Sequence, residues 1–261
     1  MWTALLVVLV SVVVAAVACV LFGRGRARSH EQADDRDADS RGFLGAVISG
    51  LFIVALAFYV VIVWEENGAA EDNAAREAAA IADIYWQTPV LPQPQRDVIR
   101  GLLTEYPRLV AEKEWPQLAV GEADPATTAA LHSLHAEVVS LPATPDVVKS
   151  ARERAVERLR EITDLRRERL DSAGGLDATG MMMLVGTIAG SVAMVVYPFL
   201  IGFTARARHV VQLCLTTAVL ALVCVLCLGM MQPFDGLFQV EPESFTSLTE
   251  ELAEIPVDRS R

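Results

Sequence analysis

The residues best suited to chemistry are few, and they do not assemble into a set. Cys224 and Cys227 form a Cys-x-x-Cys pair, the spacing of redox and zinc sites. Leu, Val and Met flank it on both sides, and no histidine or carboxylate is near enough in sequence to complete a ligand set. Cys19 and Cys214 also lie inside apolar runs. All four thiols therefore read as small packing groups. His132 and His135 stand three apart on an expected helix, so both imidazoles share a face and begin a metal set. Nearby spacing fixes no acidic or thiol third ligand, and they read as structural histidines. Glu112 and Glu114 are two apart, a spacing at which helical side chains do not face each other. The chain has no nucleophile elbow, no His-Glu-x-x-His and no Walker loop. The expectation is no catalytic set, no metal and no cofactor.

The elements carrying these residues answer to lipid rather than water. Of 261 residues 53% are hydrophobic, and they come in blocks. Four blocks (2–22, 43–64, 181–203 and 210–231) contain no Asp, Glu, Lys or Arg. Each reaches the roughly 20 residues that a helix needs to cross a bilayer. Each satisfies its own backbone as a helix, which lipid demands. The expected fold is an all-α integral membrane protein, with four transmembrane helices in two pairs flanking a helical extramembrane insert. The order is transmembrane helix 1 (1–22), a polar Arg/Asp-rich loop (23–42), helix 2 (43–64) and the insert (65–180). Helix 3 (181–203), a short basic loop (204–209), helix 4 (210–231) and an aromatic, acidic tail (232–261) follow. Ala16-Val17-Ala18 resembles a signal-peptidase box, but no basic residues precede the apolar core, so helix 1 is expected to be retained.

The net charge is −11, from 33 acidic against 22 basic residues. A phosphate binder needs a basic face, so nucleic acid is disfavoured as a partner. The partner expected is the lipid bilayer, with a homo-oligomer left open. Arginines in short loops orient membrane helices. Arg24, Arg26, Arg28, Arg36 and Arg41 lie in the first loop, and Arg206 and Arg208 in the second. Both short loops are therefore expected in the cytoplasm of a cell-membrane protein, with the insert outside. Arg166, Arg167 and Arg169, close before helix 3, pull the other way.

The absence of ionisable groups at membrane depth disfavours a proton-coupled pump, whereas a pore narrowed by apolar side chains is compatible with these spans. Gly186 and Gly190 form a Gly-x-x-x-Gly on helix 3, and Gly45 and Ser49 flatten helix 2, so both faces are expected to pack closely on a neighbour. Pro198 is expected to kink helix 3 near its end.

The insert, with 21 acidic against 13 basic residues, reads as helical throughout. The first helix of the insert either continues helix 2 or is separated from it by a break at Asn67-Gly68. Pro89, Pro92 and Pro94 enforce an extended connector. Ile99, Leu102, Leu103, Tyr106 and Val110 recur at helical spacing, with Pro107 as a kink. Asp124-Pro125 is a helix start, followed by the stripe Leu131, Leu134, Val138 and Leu141. Thr144-Pro145 reads as a second such start, with Val148, Ala151, Ala155, Leu159, Ile162 and Leu165 buried. Gly174-Gly175 ends that helix.

Beyond helix 4 the chain reads MQPFDGLFQVEPESF. Pro233 stops the helix, Gly236 permits a turn, and Phe234, Phe238 and Phe245 can fold back. Leu248 and Leu252 mark a short amphipathic helix beginning near Thr246 or Ser247. The segment is expected to staple the bundle to the insert.

Three stretches carry a resemblance: Glu77 to Tyr85, Arg100 to Tyr106 running on to Glu114-Trp115, and Pro233-Phe234-Asp235-Gly236 followed by Val240, Pro242 and Phe245. With their order around two pairs of spans, the chain resembles the bestrophin-like domain family of bacterial four-helix membrane proteins. The resemblance implies a distant relation to bestrophins, which are pentameric anion channels whose second helix lines an apolar neck. Phe52, Ile53 and Phe58 occupy the second span here as candidate pore-lining residues. No motif carries the pore roles over residue by residue. Bestrophins keep their middle region in the cytoplasm, opposite to the arginine bias here. Asp235, Glu241 and Glu243 are too sparse for a calcium clasp. The expected function is an oligomeric, anion-channel-like membrane protein. The alternative is a membrane-anchored scaffold or sensor whose insert binds a partner, without transport.

Overall fold

A computed structural model of the chain describes residues 7–14, 17, 35–175, 178–200, 207–230, 233–234 and 239–255, with only the backbone at 35–41. Tail residues 235–238, including Gly236 and Phe238, lie outside the described residues, as do most of the first loop and parts of the first span. The described residues are helical, without strands. They divide into two compact units, Met1–Trp64 with Leu176–Met231, and Glu65–Gly175 with Gln232–Arg261.

The first unit holds the helical residues 7–14 and the early part of α1 (Asp35–Gln87), with α6 (Ala178–Leu200) and α7 (Ala207–Gly229). Among the described residues three helices are long and apolar enough to cross a membrane. α1 and α6 pair through reciprocal small-on-large contacts. A Cβ placed on Gly45 would lie 2.9 Å from Cε1 of Tyr197, and one on Gly190 would lie 2.9 Å from Cδ2 of Phe52. Residues 45 and 52 are met by 197 and 190, so a seven-residue step forward on α1 meets a seven-residue step back on α6. The two contacts therefore run antiparallel. The next step reaches Tyr59, which clusters with Val63, Leu184 and Cys227, with Met183 packed against them. The Tyr59 hydroxyl donates to the Cys227 carbonyl at 2.5 Å. That carbonyl is among the last of α7, where intrahelical donors run out.

The second unit has one core. It contains α1 beyond Trp64, a 3₁₀ turn (Thr88–Val90), α2 (Gln95–Leu109), a π turn (Val110–Glu114) and α3 (Trp115–Leu118). α4 (Pro125–Ser140), α5 (Asp146–Ala173) and α8 (Glu243–Glu254) complete it. Two expectations change, at Thr144 and at the start of α8, and two others are sharpened. Asn67-Gly68 does not break the helix, because α1 runs through to Gln87. Pro107 stays inside α2. The π turn follows it three residues later, a wider ring that takes up the strain of a residue lacking an N–H. Asp124 does cap α4, accepting from the Thr127 N–H at 2.7 Å and its hydroxyl at 2.9 Å. Thr144 does not repeat this, since α5 begins at Asp146 after an N-cap Pro145 with no side-chain cap. α8 starts at Glu243, earlier than the Thr246–Ser247 expectation, and Thr246 donates back to the Pro242 carbonyl at 3.0 Å.

Candidate functional site

The inward face of α1 within the insert presents Ala70, Ala74, Ala78, Ile81 and Ile84, all buried. Glu77 stands in the same stripe and is fully buried. Small alanines around it let neighbouring helices come close. Tyr106 of α2 donates its hydroxyl to Glu77 Oε1 at 2.7 Å. Arg169 of α5 donates Nη1 to Glu77 Oε2 and Nη2 to Glu114 Oε1, the latter at 2.8 Å. Arg166, one turn earlier on α5, donates Nε to both Glu114 oxygens at 3.1 Å, and Nη2 to the Thr128 hydroxyl at 2.8 Å.

Six side chains from five elements thus form one cluster, with two carboxylates balanced by two guanidinium groups. The π turn contributes by aiming Glu114 inward while Glu112 pairs at the surface with Arg108 at 3.0 Å. Burial pushes the Glu77 carboxyl up, and the Arg169 charge and the Tyr106 hydrogen bond only partly offset it. Glu77 lies in the insert, outside the charge-free stretch that ends at Trp64. Burial also drives Tyr106 far above its ordinary value, with Glu77 adding to the effect.

Arg169 also touches the tail. Its guanidinium carbon lies 5.2 Å from the Phe245 ring centre and 5.7 Å from that of Trp115, within cation–π range. Trp115 meets Phe234 edge-on at 5.2 Å. Its indole N–H donates to the Val240 carbonyl at 2.9 Å. The Val240 N–H donates to the Pro233 carbonyl at 2.7 Å. The chemistry available here is charge pairing and proton uptake; the cluster contains no nucleophile activated by a base.

Of the other described residues singled out as candidates in the sequence, only Phe234 and Phe245 reach this cluster. Gly45 and Gly190 each receive a ring, Ser49 donates to the Gly45 carbonyl at 2.9 Å, and nothing lies within 4 Å of a Cβ placed on Gly186. Phe52 is buried against Gly190, while Ile53 and Phe58 are exposed on α1. Phe234 and Phe245 are buried in the insert core and Pro233 is half-buried beside it. His132 and His135 are exposed on α4, and among the described residues no group of three or more His, Cys, Asp or Glu is arranged to hold a metal ion. Cys224 donates to the Ser191 hydroxyl at 3.3 Å.

The cluster itself escaped the sequence reading. Arg166 and Arg169 counted there only as orienting charges, although they continue the α5 stripe at three- and four-residue steps from Ile162. That register was the available signal.

A family model described as Bestrophin-like domain matches residues 11–245. Nothing among curated proteins or solved structures matches the chain. The match covers all three stretches noted in the sequence. Glu77, Tyr106, Glu114, Trp115, Phe234, Val240 and Phe245 belong to those stretches, and they meet around Arg169.

Proposed function

We propose, since the chain belongs to the bestrophin-like domain family, that it is a multi-pass membrane protein of four transmembrane helices in two pairs, and that copies associate into an anion-channel-like oligomer. One observation carries this reading. Leu44, Val47, Leu51, Val54, Phe58 and Val61 are exposed along one stripe of α1. They alternate three- and four-residue steps, the pattern by which helices seat knobs in a neighbour's holes. Beside this stripe Ile53 is exposed, whereas Phe52 is turned inward. A neck lined by Ile53, beside that stripe, would be apolar and would gate by dewetting. Anion flux and conductance in liposomes test the proposal, with the mass of the detergent-solubilised protein. An oligomer that passes anions is expected. A monomer without flux overturns the channel reading.

A second reading has its own observation. A groove of about 680 Å³ between α1 and α5 in the insert is lined by Arg76, Asp83, Arg154, Arg158 and Glu161, among others. Such a mixed-charge surface favours a scaffold that binds a partner, with the spans as anchor. Folded protein without flux selects it. We further propose that loops 23–42 and 204–209 face the cytoplasm. Val120 is 72% exposed, and labelling Val120→Cys in intact cells decides the side of the insert.

A further inference from the structure

We infer that Glu77, Arg169 and the Trp115 and Phe245 rings form an acid-sensitive latch, in which protonation of Glu77 frees Arg169 and loosens the tail, residues 239–255, from the insert.

The geometry is that of a relay with one titratable end. Glu77 is faced by Tyr106 from α2, by Glu114 from the π turn and by Arg169 from α5, with Arg166 on the far side of Glu114. From the tail, α8 contributes no charge to this contact, only the Phe245 ring on Arg169. Arg169 therefore holds Glu77 with one side and the tail with its face. Among the described residues its buried Nε has no hydrogen-bond partner, so its pairing rests on Glu77 and Glu114 alone. A proton on Glu77 leaves one carboxylate, Glu114, to serve two arginines. A guanidinium short of partners in a dry core moves toward water, and the rings stacked on it lose their cation.

Sign follows from linkage. Burial raises Glu77 above the ordinary glutamate range. When Arg169 leaves, burial remains and the charge that lowered the carboxyl is gone. The released state holds the proton more tightly, so acid favours release. Relative to the unfolded chain the raised group contributes its stability below its unfolded value and loses it as pH rises through the folded value. Acid acting on Glu77 therefore releases the tail without melting the insert. The latch does not depend on conduction.

The test is hydrogen exchange by mass spectrometry on the full chain in lipid nanodiscs, corrected for chemical exchange rate, between about pH 7.5 and about pH 5. Exchange in 239–255 is expected to rise roughly tenfold, while the core of α5 stays protected. Glu77→Gln mimics the protonated side chain and should show fast tail exchange at both ends of the range. Tyr106→Phe removes a hydrogen bond that favours the ionised form, so its transition should move to higher pH; this variant carries the test if Glu77→Gln misfolds. Tail exchange that ignores pH in the wild type, a slow-exchanging Glu77→Gln, or a Tyr106→Phe transition that stays or moves down each overturns the latch.

Discussion

The ring of Phe52 occupies the space that any side chain at position 190 would need: a Cβ on Gly190 would fall 2.9 Å from Cδ2 of Phe52. Gly186, one turn earlier in the same motif, meets nothing. The two glycines are therefore unequal. Gly190→Ala should destabilise the first unit by about 1–3 kcal/mol through overpacking, whereas Gly186→Ala should stay within about 0.5 kcal/mol or gain helix propensity. Thermal melting in detergent separates them.

Tyr59 ends the same row of contacts with a hydrogen bond rather than a ring contact. Tyr59→Phe should cost about 1 kcal/mol, in the range of polar contacts between membrane helices. Faster hydrogen exchange confined to the last turn of α7 would report where the bond was lost.

Breaking the buried cluster should cost more. Arg169→Met leaves Glu77 buried with only the Tyr106 hydroxyl, and the penalty for stranding such a charge is about 3–5 kcal/mol. The double variant Glu77→Leu with Arg169→Met removes both charges and should recover much of it. Non-additivity in a double-mutant cycle, read by melting of the insert, is the check.

Asp124 makes an ordinary cap with a clear pH signature. Burial pushes its carboxyl up, but the Thr127 N–H and hydroxyl outweigh it and hold it below the usual aspartate value. The stability it confers is present above the unfolded value and fades as pH falls through the folded one. Asp124→Ala should cost about 0.5–2 kcal/mol at neutral pH, and the difference from wild type should shrink in strong acid.

Phe234 is buried edge-on to Trp115. Phe234→Ala should destabilise the insert by about 3–5 kcal/mol. An unchanged melting temperature in detergent would show that the aromatic segment adds nothing to stability.

Much of this was legible from period and composition. The apolar stripes of α4 and α5 follow from spacing alone, as does the Asp124 cap. Charge-free blocks mark the helices suited to lipid. What escaped notice required one helix to be set against another. Glu77 and Glu114 are ordinary surface residues by type, and only the balance with Arg166 and Arg169 lets them be buried. Pro107 signalled a distortion but not its form, because a kink and a π turn begin from the same missing N–H. The inequality of Gly186 and Gly190 depends on which ring lies opposite, and sequence spacing does not carry that.

Trp115 is 6% exposed, whereas Trp64 and Trp86 are 75% and 57% exposed. Indole emission depends on how wet the ring is, and soluble quenchers reach only what solvent or lipid reaches. With the other tryptophans replaced by phenylalanine, the fluorescence colour of residue 115 becomes a built-in optical gauge of whether Phe234 and Phe245 are seated on it.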